Sequence, residues 1–252
     1  QLTVIIITLF SIQFSAAQIH EIGLYLGGSN FIGDVGATDY IAPKNLTIGG
    51  IYKWNRSPRH SYRISLLFSE LEGIDKNSDD PSRQIRGLEF NSQIIELSAG
   101  MEFTFLDFNL HKGGFVSTPY LYTGVTVTKH DNFFLANSGQ LEPEGTESFA
   151  YGIPMVVGYK AAIAQHFVLA FEIGARYTFS DEIDGSVPDA EELQSRSFGN
   201  LNNNDWYTFT GVTLTYTFGR NPCYCAFSVS IDKINKDYLP KHLAIIMDGN
   251  GR

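Results

Sequence analysis

The stretch from Trp206 to Phe218 alternates between two kinds of side chain with a period of two. One face carries Trp206, Thr208, Thr210, Val212, Leu214, Tyr216 and Phe218. A period of two is that of a β-strand. Aromatic ends with aliphatic residues between them are typical of a strand whose outer face crosses a membrane. At about 3.3 Å per residue and a tilt of roughly 40°, such a strand spans an apolar band of about 25 Å. The alternative is an edge strand of a soluble sandwich.

Seven further stretches of the chain resemble this strand. They are His20–Ser29, Asn45–Trp54, Ser61–Leu71, Leu88–Phe105, Phe115–Lys129, Phe149–Ala161 and Phe167–Phe179. The segments between the strands alternate between long and short. The long ones are Asn30–Lys44, Glu72–Gly87, His130–Ser148 and Ser180–Asp205, and the short ones are Asn55–His60, Leu106–Gly114 and Ile163–His166. Outer-membrane barrels have short periplasmic turns and long external loops, so we predict an all-β, eight-stranded antiparallel up-and-down transmembrane β-barrel whose long loops face outward.

Charged residues fall on the face of the strands that is predicted to point inward. They are Glu21, Glu96, Glu102 and Glu172 with Lys53, Arg63, Lys160 and Arg176. The interior of an eight-stranded barrel is only wide enough for side chains to fill it. Because charges in such a lumen must be paired, we expect an ionic plug with negligible conductance.

Export is indicated by the apolar start of the chain, in which small residues follow an uncharged run from Leu2 to Phe14. We interpret residues 1–17 as a cleaved signal peptide and residues 18–225 as the barrel. Charged residues make up 18% of the chain and the net charge is -9, which is poorly suited to binding nucleic acid. The expected location is the bacterial outer membrane, with lipid as a partner.

Candidate reactive and metal-binding residues are few. His130 and Asp131, with Ser138 nearby, could form a Ser/His/Asp arrangement, but polar loops hold such residues more often as solvated side chains. The six histidines show no metal-ligand spacing. Acidic groups that could collect Ca²⁺, or simply be solvated, are Asp75, Asp79 and Asp80, and the run Asp181–Asp189 with Glu191 and Glu192. We therefore expect no catalytic residue and no cofactor in the barrel.

Two stretches resemble the PorG-like outer-membrane proteins: His20–Asp34, reading HEIGLYLGGSNFIGD, and Gly219–Cys225, reading GRNPCYC. The resemblance covers about residues 18–225. It implies a non-enzymatic component of the type IX secretion machinery that binds periplasmic ring subunits. Cys223 and Cys225 are candidates for partner binding; in the periplasm they could form a strained disulfide, bond another chain or remain thiols. The alternative is a free-standing OmpX-like barrel whose long loops bind an extracellular ligand.

The final segment, residues 226–252, is interpreted as a linker followed by a stub. From Tyr238 it is similar to the opening motif of cis-prenyltransferases of the undecaprenyl diphosphate synthase type. The resemblance implies that Asp248 binds Mg²⁺ in a complete enzyme, and that the diphosphate is bound by Gly249, Asn250, Gly251 and Arg252. Only the first element of that enzyme is present, so we expect no prenyl transfer. A run-on of two reading frames explains the segment most simply, and a true fusion is the alternative.

Overall fold

The computed structural model describes residues 19–110, 115–200 and 204–219. The strands are β1 (Ile19–Ile32), β2 (Asn45–Asn55), β3 (His60–Ile74), β4 (Glu89–Thr104), β5 (Ser117–Leu135), β6 (Leu141–Ala164), β7 (Phe167–Thr178) and β8 (Trp206–Phe218). One short helix, α1 (Pro81–Arg86), and two 3-10 turns, Asp75–Asn77 and Glu191–Arg196, lie between strands.

The eight strands form a closed antiparallel ring in which each strand pairs with its neighbours in sequence. β8 returns to pair with β1 in a regular register that runs from Ile32 opposite Trp206 to His20 opposite Phe218. Each of the eight strands predicted from the alternation is present. The fold class is therefore confirmed as an all-β, up-and-down barrel.

The strand faces that were predicted to point outward and inward do so in the structure. On β8, Val212, Leu214 and Tyr216 point outward and are exposed, whereas Thr213 and Thr215 point into the lumen and are buried. The same division holds on β7, where Phe167, Leu169 and Phe171 are exposed in the same way. Large apolar side chains around a closed ring have no protein to cover them, so lipid is the medium that fits this exterior. The chain is a transmembrane β-barrel.

One predicted loop is wrong. His130–Ser148 was expected as a long connection, but β5 continues to Leu135 and β6 begins at Leu141, so that a hairpin with its turn at 136–140 occupies most of the segment. The residues of β6 from Leu141 to Ser148 are mainly polar. An apolar alternation is absent there because this part of the hairpin extends beyond the apolar band.

The two ends of the barrel are built differently. One end, called the loop end below, holds the connections whose described residues are 33–44, 75–88, 136–140, 179–200 and 204–205. Their apolar residues join inward residues of the strands in one buried cluster that includes Phe31, Val35, Leu71, Phe90, Phe133, Ile183 and Phe209. The other end, the turn end, holds the connections whose described residues are 56–59, 105–110, 115–116 and 165–166. An apolar core therefore closes the loop end.

Several predictions concern residues outside the described ranges. These are the signal peptide (residues 1–17), Cys223 and Cys225, and the segment 226–252 with Asp248, Gly249, Asn250, Gly251 and Arg252. They remain predictions from the sequence.

Candidate functional site

The charged residues predicted to face inward are all buried in the lumen. Near the turn end, Glu102 on β4 forms ion pairs with two lysines: Lys160 Nζ lies 2.6 Å from its Oε1 and Lys53 Nζ lies 2.8 Å from its Oε2. Both ammonium groups also lie over the ring of Tyr120. Strands β2, β4 and β6 are thereby joined across the interior.

A second cluster joins β3, β5 and β7. The Arg63 guanidinium donates two hydrogen bonds to the Glu172 carboxylate, at 2.7 and 2.8 Å. The Tyr120 hydroxyl donates to the same carboxylate at 2.5 Å, and the Arg63 guanidinium lies over the ring of Tyr122. Paired hydrogen bonds between a planar guanidinium and a carboxylate are the strongest arrangement for such a buried ion pair.

A third cluster lies nearer the loop end. Arg176 Nε on β7 lies 3.1 Å from Glu96 Oε2 on β4, and the Tyr207 hydroxyl donates to that oxygen at 2.8 Å. Glu21 is held differently, by the neutral donors Asn55 Nδ2 at 2.7 Å and Thr215 Oγ1 at 2.6 Å. Ion pairs thus cross the lumen as predicted. They are not one-to-one, because Glu102 pairs with two lysines and Glu21 is held by neutral hydrogen-bond donors.

At the loop end, Asp75 organises two connections. Its buried carboxylate accepts from the backbone N–H groups of Gly36 (2.9 Å) and Leu88 (3.0 Å) and from Arg86 Nε (2.8 Å). Burial acts to raise the pKa of Asp75, but the hydrogen bonds from Arg86, Gly36 and Leu88 outweigh it and lower the pKa below its usual range. The expectation of a solvated acidic loop is therefore wrong for Asp75, because it is the acceptor that ties residues 33–44 to 75–88.

Asp184 joins the connection between β7 and β8 to the connection between β1 and β2. Its Oδ2 accepts from the backbone N–H groups of Asp34 (2.8 Å) and Val35 (3.1 Å). Asp205 Oδ2 accepts from the Ile183 N–H at 3.0 Å. The Asp181–Asp189 run is thus partly buried, and the expectation of full solvation is wrong for Asp184.

Negative charge accumulates among these groups. Asp205 and Asp184 are fully buried, and burial raises the pKa of each. Burial, with the charges of Asp184 and Asp34, raises the pKa of Asp181 to about 7. One carboxylate oxygen of Asp205 and one of Asp181 are buried without a hydrogen-bond partner. Ionisation of these three carboxyl groups is therefore unfavourable, and their protonated form stabilises the packing of residues 33–44 against residues 179–200.

A groove lies on the outer wall where β4 and β5 separate. The two strands pair from Ile95 opposite Lys129 toward the turn end; beyond that point β4 pairs only with β3, and β5 with β6. The groove has a volume of about 500 Å³, and Phe68, Ile95, Lys129 and Glu147 are among its lining residues. Lys129 and Glu147 form an ion pair at 2.5 Å.

The Ser/His/Asp arrangement, which the sequence disfavoured, is not assembled. The favoured expectation of solvated side chains is wrong for His130, which is buried on the inward face of β5, whereas Asp131 Oδ2 on the opposite face accepts from the Gln93 N–H. Ser138 lies in the hairpin turn and donates to Glu142 Oε1 at 3.3 Å. Asp79 and Asp80 are exposed. In the ranges that the structure describes, no group of three histidine, cysteine or acidic side chains is placed to hold a metal ion.

The sequence did not predict the residues that bind the connections at the loop end together. Asp75, Asp184 and Arg86 lie in segments without periodicity, so their partners could not be inferred. One signal was available for α1: Asp80 precedes Pro81, and its carboxylate accepts from the Ser82 N–H at 2.8 Å as a helix N-cap. No helix among the described residues is long and apolar enough to cross a membrane.

A closed eight-stranded ring with an apolar exterior, an ion-paired interior and one end covered by packed loops defines a small outer-membrane-type β-barrel. The chain belongs to the DUF6089 family (Domain of unknown function), which it matches over residues 1–227. No curated protein gives a significant match.

Solved structures similar to this chain include three bacterial membrane barrels. The attachment invasion locus protein Ail of Yersinia pestis, in complex with the heparin analogue sucrose octasulfate, is 12% identical over 80% of this chain and 99% of its own, with a TM-score of 0.43. Neisserial surface protein A is 11% identical over 80% and 97%, with a TM-score of 0.41. A major outer membrane protein from Thermus thermophilus is 10% identical over 80% and 100%, with a TM-score of 0.42.

Proposed function

We propose that this protein is a sealed outer-membrane scaffold that acts by binding other molecules at the ends of its barrel, and that it neither transports solutes nor catalyses a reaction. The observation that carries the proposal is the lumen, in which Glu102, Glu172 and Glu96 are each bonded across the interior to a cation. An interior filled in this way leaves the two ends and the outer wall as the surfaces available to partners.

The partner that we propose for the turn end is a periplasmic subunit of a secretion machine of the type IX kind, in keeping with the PorG-like resemblance. This end is small and charged. Arg59 Nε and Asp107 Oδ1 lie 2.6 Å apart in an exposed ion pair between the 56–59 turn and the next connection, and Arg56 is exposed in the same turn. Cys223 and Cys225 come after β8 in the sequence and lie outside the described residues, and they stay candidates for binding this partner.

The proposal is tested by site-specific photo-crosslinking in living cells. A photoreactive residue replaces Arg56 at the turn end, and a matched one replaces Lys76 at the loop end, since both positions are exposed. We expect adducts with periplasmic subunits from position 56 only, reduced by deletion of residues 221–225. Adducts from position 76 alone, together with normal secretion in a deletion strain, would contradict docking at the turn end.

A second candidate function is recognition of an extracellular ligand at the loop end. The specific observation in its favour is that this end is already folded, because Asp75 and Asp184 bind backbone N–H groups of neighbouring connections. A preformed surface loses little conformational entropy when a ligand binds. The surface that we propose for the ligand is the groove where β4 and β5 separate toward the loop end. Alanine substitutions of Lys129 and Glu147, which line it, should then lower ligand binding by whole cells without altering the amount of folded barrel.

A further inference from the structure

The connection between β1 and β2 folds back over the outside of the barrel. Asn30 on β1 and Thr208 on β8 are cross-strand neighbours whose side chains point outward, yet each is only 5% exposed. The Asn30 side-chain amide donates to the carbonyl of Asp39, and the Thr208 hydroxyl donates to the carbonyl of Tyr40 at 3.0 Å. The backbone of residues 39–40 therefore lies directly on the outer wall at the seam between the first and last strands.

A third contact holds the same segment on β1, two residues from Asn30 toward the turn end. Gly28 also points outward, and a Cβ atom placed on it would lie 2.5 Å from the Cβ atom of Pro43. The glycine is needed here because Pro43 occupies the space of a side chain. Residues 39–43 therefore contact β1 at Asn30 and Gly28, and β8 at Thr208.

This segment, residues 39–43, is called the outer strap below. It changes the chemistry of the wall that it covers. The strand residues beneath it are the polar Asn30 and Thr208 and the glycine Gly28, whereas the strap presents Tyr40 at 77% exposure and Ile41 at 58% exposure. The side chains of Asn30 and Thr208 are satisfied by backbone carbonyls, and apolar side chains take their place on the outside.

The strap is also continuous with the apolar exterior of the barrel. Leu46, three residues after it on β2, is outward and exposed, as are Leu26 on β1 and Val212 on β8. Tyrosine at the boundary of an apolar band is typical of side chains at the interface between lipid and water.

From these contacts we propose that the outer strap is a membrane-interface anchor, in which Tyr40 and Ile41 lie among lipid headgroups and the adjoining acyl chains at the loop end of the barrel. The anchor extends the lipid-contacting surface across the β1–β8 seam, where the strands themselves present Asn30 and Thr208. It fixes residues 39–43 against the membrane, while residues 34–36 of the same connection are bonded to the neighbouring connections by Asp184 and Asp75.

The test uses tryptophan fluorescence in vesicles of brominated phosphatidylcholine. Trp54 and Trp206 are first replaced by phenylalanine, and Ile41→Trp is introduced as the probe. The matched control is Ile85→Trp, because Ile85 on α1 is also an isoleucine at the loop end and is 87% exposed. Tyr40→Trp provides a second probe, and heat-modifiable migration on gels shows that each variant is folded.

We expect the emission of the Ile41→Trp variant to be blue-shifted relative to that of Ile85→Trp, and to be quenched in vesicles brominated near the headgroup end of the acyl chain. Quenching should be weaker when bromine lies near the methyl end. Emission from position 85 should not change between brominated and unbrominated vesicles. Unquenched, red-shifted emission from both positions 40 and 41 in folded protein would overturn the proposal and place the strap in water.

Discussion

Arg63 on β3 and Glu172 on β7 are joined by two parallel hydrogen bonds, although the two residues are 109 positions apart in the chain. The pair is buried, so removal of one partner leaves the other charge without a counterion. We predict that Glu172→Gln lowers the free energy of unfolding by about 3–5 kcal/mol, measured by urea titration in lipid vesicles.

The double variant Arg63→Leu, Glu172→Leu is the control for this prediction. Replacing both partners by apolar residues removes the unpaired charge, so the double variant should be more stable than Glu172→Gln. A Glu172→Gln protein as stable as the wild type would show that the pair makes no net contribution.

The purified barrel is predicted to conduct no measurable ion current in planar bilayers. The ion pairs of Glu96 and Glu102 cross the lumen, and the apolar cluster around Phe31 and Phe133 closes the loop end above them. A porin reconstituted under the same conditions supplies the positive control. Stable channels of nanosiemens size from the folded protein would contradict a sealed interior.

Asp75→Ala is predicted to loosen the loop end without unfolding the barrel. The backbone N–H groups of Gly36 and Leu88 lose their acceptor, and each buried donor left unpaired costs about 1–3 kcal/mol. Protease cleavage within residues 33–44 or 75–88 should become faster, while the gel mobility of the folded barrel is retained. Asp79→Ala is the matched control, since Asp79 is exposed, and equal cleavage of the two variants would argue against the role of Asp75.

The packing of 179–205 against 33–44 is predicted to weaken as the pH rises. The pKa values of Asp181, Asp184 and Asp205 are raised in the folded state, so the stability that they contribute is complete below about pH 4, the pKa of an unfolded aspartate. For Asp181 this contribution is lost as the pH rises through about 7. Asp75, whose pKa is lowered, stays ionised over that range and does not offset the loss.

Hydrogen exchange of the Ile183 amide checks this prediction, because that amide donates to Asp205. After correction for the intrinsic rate, protection should be greater at pH 5 than at pH 8. Asp205→Asn removes one charge and should reduce the difference. Protection that instead increases with pH would show that the carboxylates are stabilised in their ionised form.

The barrel itself could be predicted from the sequence because lipid outside and a narrow lumen inside impose a period of two on each strand. That constraint placed Val212 outside and Glu102 inside. It does not act beyond the membrane, which is why the hairpin residues Leu141–Ser148 were expected as a loop. The same constraint does not determine which side chains bind each other. Glu102 pairs with two lysines, and Asp184 accepts from the Asp34 N–H, because segments remote in sequence lie close together in the fold.

The hairpin of β5 and β6 has a consequence for how copies of the protein meet. β6 pairs with β7 only from Gly152 onward, so the backbone from Leu141 to Ala150 presents a strand edge on that side. An unprotected edge is a template for pairing with another chain, and charged side chains are a common defence. Glu142 is exposed on this edge, and Glu144 accepts from the Asp189 N–H of the β7–β8 connection at 3.2 Å, so a charge and a neighbouring connection protect the edge against pairing with another copy.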